Sequence, residues 1–214
     1  MSPRIVIPEL LDHLPTTDPE AQRSRRDLRR INFLMGNERW ICRAIRPFFP
    51  LAGCGIVEVG AGDGMLCQQL ARLFPLAPLT AYDLAPRPVN LDSRVGWKQG
   101  DIFQMDPPQQ GGVLIANLFL HHFEGPALLA LSRWMQGFDV FVFNEPDRAR
   151  LPHVLGGLLH PCINRVTRHD MHVSIRAGFM AGEIATLLEL DSRRWQQRET
   201  STWRGARRVV AWRQ

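Results

Sequence analysis

Lysine is almost missing from this 214-residue chain: of its 26 basic residues only Lys98 is one, and the other 25 are arginines. A formal charge of +5 would suit a polyanionic partner. The arginines, however, run along the whole chain among 21 acidic residues, which describes a diffuse basic surface better than a dedicated nucleic-acid face. Cysteine is sparse too. Cys42, Cys54, Cys67 and Cys162 are spaced by 12, 13 and 95 positions, so no C-x-x-C pair supports a zinc or redox motif, and no metal-ligand set is read from the sequence. The four read as reduced core thiols. The N-terminal "MSPRIVIPELLDHLP" lacks the apolar stretch of a signal peptide, and no run approaches a membrane span, so a cytoplasmic protein is expected. Internal repeats and low-complexity tracts are absent as well.

What is present suffices for one sizeable core, with 45% apolar residues. Residues 1–20 are rich in proline and polar residues and read as a loose lead-in. Residues 19–35 place Leu28, Ile31, Leu34 and Met35 at helical spacing opposite arginines, and Gly36-Asn37 ends the helix. A second amphipathic helix, "ERWICRAIRPFF", stops at Pro50. Together residues 1–50 form an N-terminal extension and helical cap ahead of the first strand. From residue 51 to 214 strand-like runs alternate with helical ones: "GIVEV", "MLCQQLARLF" and "LTAYDL" make a βαβ unit. "GWKQGDI", "GGVLIANLFL" and "DVFVFNEP" continue as strands, "GPALLALSRWMQ" as a helix. A last helix near "GFMAGEIATLLEL" precedes two closing strands, "RWQQRETSTW" and "ARRVVAWR". Largely apolar strands alternating with helices imply an α/β fold with a parallel sheet covered on both faces.

The stretch "GIVEVGAGDGM" crowds Gly60, Gly62 and Gly64 into the turn from first strand to first helix. Missing β-carbons there let a ligand touch the backbone and allow positive φ; tight strand-to-helix turns also use glycine without any ligand. A dinucleotide fingerprint needs G-x-G-x-x-G. This turn is one residue shorter, carries Asp63 inside it and has Glu58 two residues before it. Carboxylates at both places repel a pyrophosphate and suit a cationic group, an ammonium or sulfonium.

"VEVGAGDG" resembles the E/D-x-G-x-G-x-G motif of class I S-adenosylmethionine (SAM)-dependent methyltransferases. The resemblance covers residues 53–145 well and the remainder only in the order of elements. It implies a Rossmann-like, seven-stranded, mostly parallel sheet whose final strand is antiparallel, with SAM as cofactor across the carboxyl ends of the strands. In the cofactor turn it places Gly60, Ala61, Gly62 and Gly64, with Glu58 orienting the cofactor's amino group. Asp83, with Leu84 after it, lies 19 residues past the last glycine, where an acid accepts both ribose hydroxyls. Asp101 matches the adenine-binding acid, with Ile102 flanking the base, and the segment from Asn117 and Leu118 to His121 matches the one lining the methionine end. Taken singly, Asp83 also reads as a turn residue and Asp101 as a helix N-cap.

Methyl transfer from a sulfonium is an in-line displacement that needs a held nucleophile and, for some acceptors, a base. Candidate catalytic residues are His121, His122 and His169, the last beside Asp170 in a later loop; each also reads as a packed or solvated histidine. Residues 144–179 form a connection long enough to be a lid insertion. Within it, Arg165, Arg168 and Arg176 are candidates to grip an acceptor's acidic group, or to be solvated or paired with Glu145 and Asp147. Asn117-Leu118-Phe119 lacks the N-P-P-aromatic segment that resembles amino-methylating nucleic-acid enzymes. Pro161-Cys162 resembles the nucleophile pair of cytosine-C5 methyltransferases but follows the wrong strand. The expectation is therefore a small-molecule methyltransferase, acting on a hydroxyl oxygen in secondary metabolism or quinone-type chemistry. An RNA methyltransferase using the arginine-rich helix and a non-catalytic SAM-binding regulatory protein are the alternatives. The acceptor and the oligomeric state are not legible.

Overall fold

The computed structural model describes residues 3–15, 17–108 and 111–214. A one-turn helix α1 (Leu10–His13) leads into α2 (Pro19–Met35). Asp18 caps α2 by accepting from the amides of Glu20 and Ala21, and Gly36 ends it at φ 68°, a left-handed angle that glycine adopts without strain. The face that α2 buries is Ala21, Ser24 and Asp27, while Leu34 is exposed. Leu28, Ile31 and Met35 lie half-buried on the same side, so the apolar spacing marks the inward face, whose deepest residues are Ala21 and two polar side chains. The next helix, α3 (Asn37–Ile45), stops before Pro47, and Pro47 and Pro50 each open a short new helix, the second being α4 (Phe49–Ala52).

The sheet follows. β1 (Ile56–Val59), α5 (Met65–Leu73), β2 (Leu79–Asp83), β3 (Val95–Gln99), β4 (Val113–Asn117), α6 (Gly125–Met135) and β5 (Val140–Pro146) alternate as the sequence suggests. Then come α7 (Arg150–Leu159), α8 (Arg165–Ala177), α9 (Glu183–Leu187), β6 (Trp195–Ser201) and β7 (Ala206–Arg213). Strand order is β3-β2-β1-β4-β5-β7-β6, with β1 to β5 parallel and β7 antiparallel to both β5 and β6. β1 and β5 are buried throughout, as expected of strands covered on both faces. One core packs Ile56 and Ile115 against Ile41, Ile45, Leu66 and Leu70 from α3 and α5; the other packs Val57, Val59 and Phe141 against Leu128, Leu131 and Ile184 from α6 and α9. Chain order reverses between β1 and β4, so the carboxyl ends of these strands open a crevice at the switch point.

The connection after β5 is not a loop. Residues 144–146 finish β5, and the rest forms α7 and α8, so His169 and Asp170 lie on a helix. α8 contacts α1, α2, α7 and the single turn Leu120–His122 beyond β4. Its contact with α2 is a buried polar cluster: Thr167 Oγ1 lies 3.0 Å from Ser24 Oγ, and Asp27 Oδ2 accepts from the Asn164 amide at 2.9 Å. The N-terminal lead-in is tied down as well, since Asp170 caps the amides of Leu10 and Leu11 at 2.8 and 3.0 Å. Only Cys42 and Cys67 are core thiols; Cys54 and Cys162 are exposed. Among the described residues no helix is long and apolar enough to cross a membrane.

Candidate active site

The glycine turn sits at the end of β1 with Gly60, Gly62 and Gly64 at φ 68°, 56° and 71°. A β-carbon on Gly60 would lie 2.2 Å from Cδ2 of Phe119, whereas one on Gly62 would meet nothing within 4 Å. The turn is therefore closed on one side by an aromatic ring beyond β4 and open above Gly62. Asp83, at the end of β2, fastens it: one carboxylate oxygen accepts from the Gly62 amide and the other from Ala85, both at 2.7 Å. Burial lifts the Asp83 carboxyl above its usual value, those two amides offsetting part of the effect. Ala61 is buried and Leu84 is exposed.

Glu58 is 3% exposed. Its Oε2 accepts from the Cys67 thiol at 2.8 Å, and burial, reinforced by Glu38, Asp63 and Asp83, pushes its carboxyl up to about 8. Four carboxylates thus share the field of one glycine turn. Arg29 of α2 stands 3.4 Å from Asp63, so part of the arginine-rich helix pairs with the turn. Asp101 caps the single turn Ile102–Gln104 by accepting from the Phe103 amide at 3.0 Å, with Ile102 buried behind it. That N-cap still leaves the carboxylate with free lone pairs.

Beyond β4 the chain bends sharply. Leu118 has φ 56°, an angle a branched side chain rarely adopts, and its amide donates to the Asn144 carbonyl at 2.8 Å. Asn117 Oδ1 accepts from Asn144 Nδ2 at 2.9 Å, and Arg208 Nε on β7 donates to Asn144 Oδ1 at 3.2 Å. Glu145, fully buried, accepts from the amides of Phe119 and Leu120 at 3.0 and 2.9 Å and lies 2.8 Å from His121 Nδ1. On the other edge of that imidazole, Glu9 Oε1 is 3.6 Å from Nε2. Burial alone would depress His121, but Glu145 and Glu9 outweigh it and hold it at about 9. His122, stacked beside it with ring centroids 4.3 Å apart, is pushed down to about 4 by burial and by the charge on His121.

His169 pairs with Asp170 at 2.9 Å, with Asp170 also holding the amides of α1. Arg168 and Arg176 donate to backbone carbonyls of their own helix region, at Ile163 and His172, and Asp147 pairs with Arg207 at 2.6 Å. The arginines of α8 and the acids at the end of β5 are thus not partners. Sequence reasoning missed Glu9, Asn144 and Arg208, included Phe119 only within the segment from Asn117 to His121, and saw Glu145 only as a partner for arginine. "NEP" at the end of a buried strand was the available signal, since buried polar residues demand partners.

No protein-family model matches the chain, and no curated protein sequence matches it. Solved structures do. BpumL, a plantazolicin methyltransferase solved with a triazolic desmethylPZN analog and SAH, is 12% identical over 92% of this chain and 92% of its own, at a TM-score of 0.72. Human N-acetylserotonin methyltransferase in complex with SAM is 14% identical over 94% of this chain and 61% of its own, at 0.63. The pyocyanin biosynthetic protein PhzM is 21% identical over 97% and 62%, at 0.63. The chain has the fold of class I SAM-dependent methyltransferases.

Proposed function

We propose that this chain is a SAM-dependent methyltransferase acting on a small-molecule acceptor, in the first place at a hydroxyl oxygen. The observation that carries the reading is the open, side-chain-free turn at Gly62 beside the carboxylates of Asp63 and Asp83, with the buried Glu58 carboxyl behind it, which a bound cation would favour ionising. Such a surface suits a ligand bearing an ammonium and a sulfonium and opposes a pyrophosphate. BpumL with SAH and N-acetylserotonin methyltransferase with SAM share the fold and support that donor.

In this reading Gly60, Ala61, Gly62 and Gly64 offer backbone to the donor, and Glu58 neutralises its ammonium. Asp83 and Asp101 hold the ribose and adenine, flanked by Leu84 and Ile102, and Asn117 and Leu118 line the methionine end. The donor supplies a methyl on a positively charged sulfur. The chain's own contribution is placement: the Asn117–Asn144–Arg208 network and the Glu145 bonds to successive amides fix the backbone beyond β4. Of the two histidines at that end, His122 is neutral and is the one placed to take an acceptor hydroxyl's proton, His121 is already charged between Glu145 and Glu9, and His169 lies on α8 beside the anchor of α1. α8 packs on the turn Leu120–His122 and carries α1 and α2 on its other sides, and a roofed site favours a small acceptor over a duplex.

Calorimetry with S-adenosylhomocysteine and with NAD tests the donor. Binding of the first alone is expected; tight NAD binding without it would overturn the assignment. Labelled methyl transfer into a metabolite extract then tests turnover.

A further inference from the structure

We propose that Glu9, His121 and His122 form a site for one divalent transition-metal ion, of the zinc class, at the carboxyl end of β4. Each offers one ligand atom, and these atoms all lie within 4.8 Å of one another. The 3.6 Å between His121 Nε2 and Glu9 Oε1 is long for a hydrogen bond. It is close to the separation of about 3.4 Å that two ligands take on one tetrahedral ion with bonds near 2.1 Å.

The surroundings are those of a ligand set. His121 gives Nδ1 to Glu145 Oε2 at 2.8 Å, which fixes the ring and leaves Nε2 as the coordinating atom. Glu145 is itself locked by the amides of Phe119, Leu120 and His121. Glu9 accepts from Ser174 on α8, so the carboxylate ligand has its own support. Asp12 Oδ2, 3.9 Å from His122 Nδ1, stands ready as outer partner to the third ligand. In the metal-free chain the His121 imidazolium, with Arg4 donating to the His121 carbonyl at 3.0 Å, balances the buried carboxylates Glu9 and Glu145, so an entering dication takes the place of the His121 Nε2 proton. Two imidazoles and one carboxylate suit zinc, iron(II) or manganese and keep a coordination position open.

The ion would join the N-terminal segment to the sheet, because Glu9 is contributed by residues 3–15 and both histidines by the turn after β4. Its open position would take the acceptor oxygen and lower the pKa of that hydroxyl. That role, unlike the site itself, rests on the methyltransferase reading.

The test uses the full chain stripped with EDTA, titrated with Co2+ by absorption spectroscopy and then with Zn2+ in competition. One equivalent with a four- or five-coordinate cobalt spectrum is expected. Glu9→Gln and His122→Ala should each weaken binding at least tenfold, and Glu145→Gln by about 10- to 100-fold. The control is His172→Ala, which breaks the half-buried histidine chain in which His172 lies 2.9 Å from His153 and 3.0 Å from His160. It should leave the tight equivalent intact. No binding by the wild type would overturn the proposal and leave His121 as an imidazolium between two carboxylates. Binding lost in His172→Ala but kept in Glu9→Gln would overturn it equally. Circular dichroism checks the fold of each variant, and the wild-type titration decides the matter even if a variant is unstable. S-adenosylhomocysteine calorimetry on the metal-free protein keeps the readings apart: failure there counts against methyl transfer and not against the metal.

Discussion

Glu58→Gln should make the protein more stable at alkaline pH and no more stable at acid pH. Glu58 lies in β1 at 3% exposure, with the Cys67 thiol as its hydrogen-bond partner and Glu38, Asp63 and Asp83 adding negative potential. Its folded carboxyl titrates at about 8 against an ordinary 4.5. Between those values the native state keeps a proton that the unfolded chain has lost, so stability falls as pH rises through this window and the loss is complete above pH 8. At 1.36 kcal/mol per tenfold change in proton affinity the full penalty is about 5 kcal/mol. Glutamine keeps the shape and an acceptor for the thiol but never ionises. Wild type and variant should unfold at similar urea concentrations at pH 5. By pH 8.5 the variant should be several kcal/mol ahead, which for a chain of this length separates the melting temperatures by about 10 °C or more. Curves that stay parallel from pH 5 to 8.5 would refute the reasoning, as would a variant less stable at pH 8.5. Under the proposed function the ligand's ammonium favours the ionised carboxylate. S-adenosylhomocysteine should then bind wild type more tightly as pH rises to 8, with proton release, and Glu58→Gln indifferently.

Asp83→Ala removes the acceptor for the Gly62 and Ala85 amides and the proposed ribose contact; calorimetry should show S-adenosylhomocysteine affinity reduced about 10- to 100-fold, as for loss of a charged hydrogen bond. Gly60→Ala drives a methyl into the Phe119 ring at φ 68° and should cost about 2–3 kcal/mol in denaturant unfolding. Gly62→Ala meets nothing within 4 Å, so it should cost only about 1 kcal/mol while still weakening the ligand at least tenfold. Arg207→Ala strands Asp147, whose Oδ1 receives two bonds from that guanidinium at 2.6 and 3.0 Å. Urea unfolding should record a loss of about 3–5 kcal/mol, and the Arg207→Ala/Asp147→Ala double variant should recover part of it.

The α2 face and the α8 arginines show where reading the chain alone fails. Apolar spacing puts Leu28, Ile31 and Met35 on the inward side of α2, but nothing in it marks Ser24 and Asp27 as the deepest residues there, which they are because Thr167 and Asn164 meet them across the interface. Periodicity counts hydrophobic residues and cannot weigh a polar pair whose second half is about 140 positions away. The α8 arginines are a different case: the sequence leaves Arg165, Arg168 and Arg176 open between gripping a ligand and being solvated or paired with Glu145 and Asp147. Arg168 and Arg176 turn back onto carbonyls five and four positions away, while Asp147 is taken by Arg207, 60 positions on, which no local pattern announces.

Legible in the chain alone were the alternation of strands and helices, the order that puts a glycine turn at the end of β1, and the acids at the carboxyl ends of β2 and β3. Each depends on residues within a few positions of one another: β-branched apolar runs, a helical stripe, glycines free to take positive φ. It takes the folded chain to bring Glu9 and Glu145 to the two edges of His121, Phe119 against the turn at Gly60, and Asn117, Asn144 and Arg208 into one network. Those contacts join positions dozens to more than a hundred residues apart, and buried polar groups find their partners through the packing of the whole sheet and its roof rather than through any local preference.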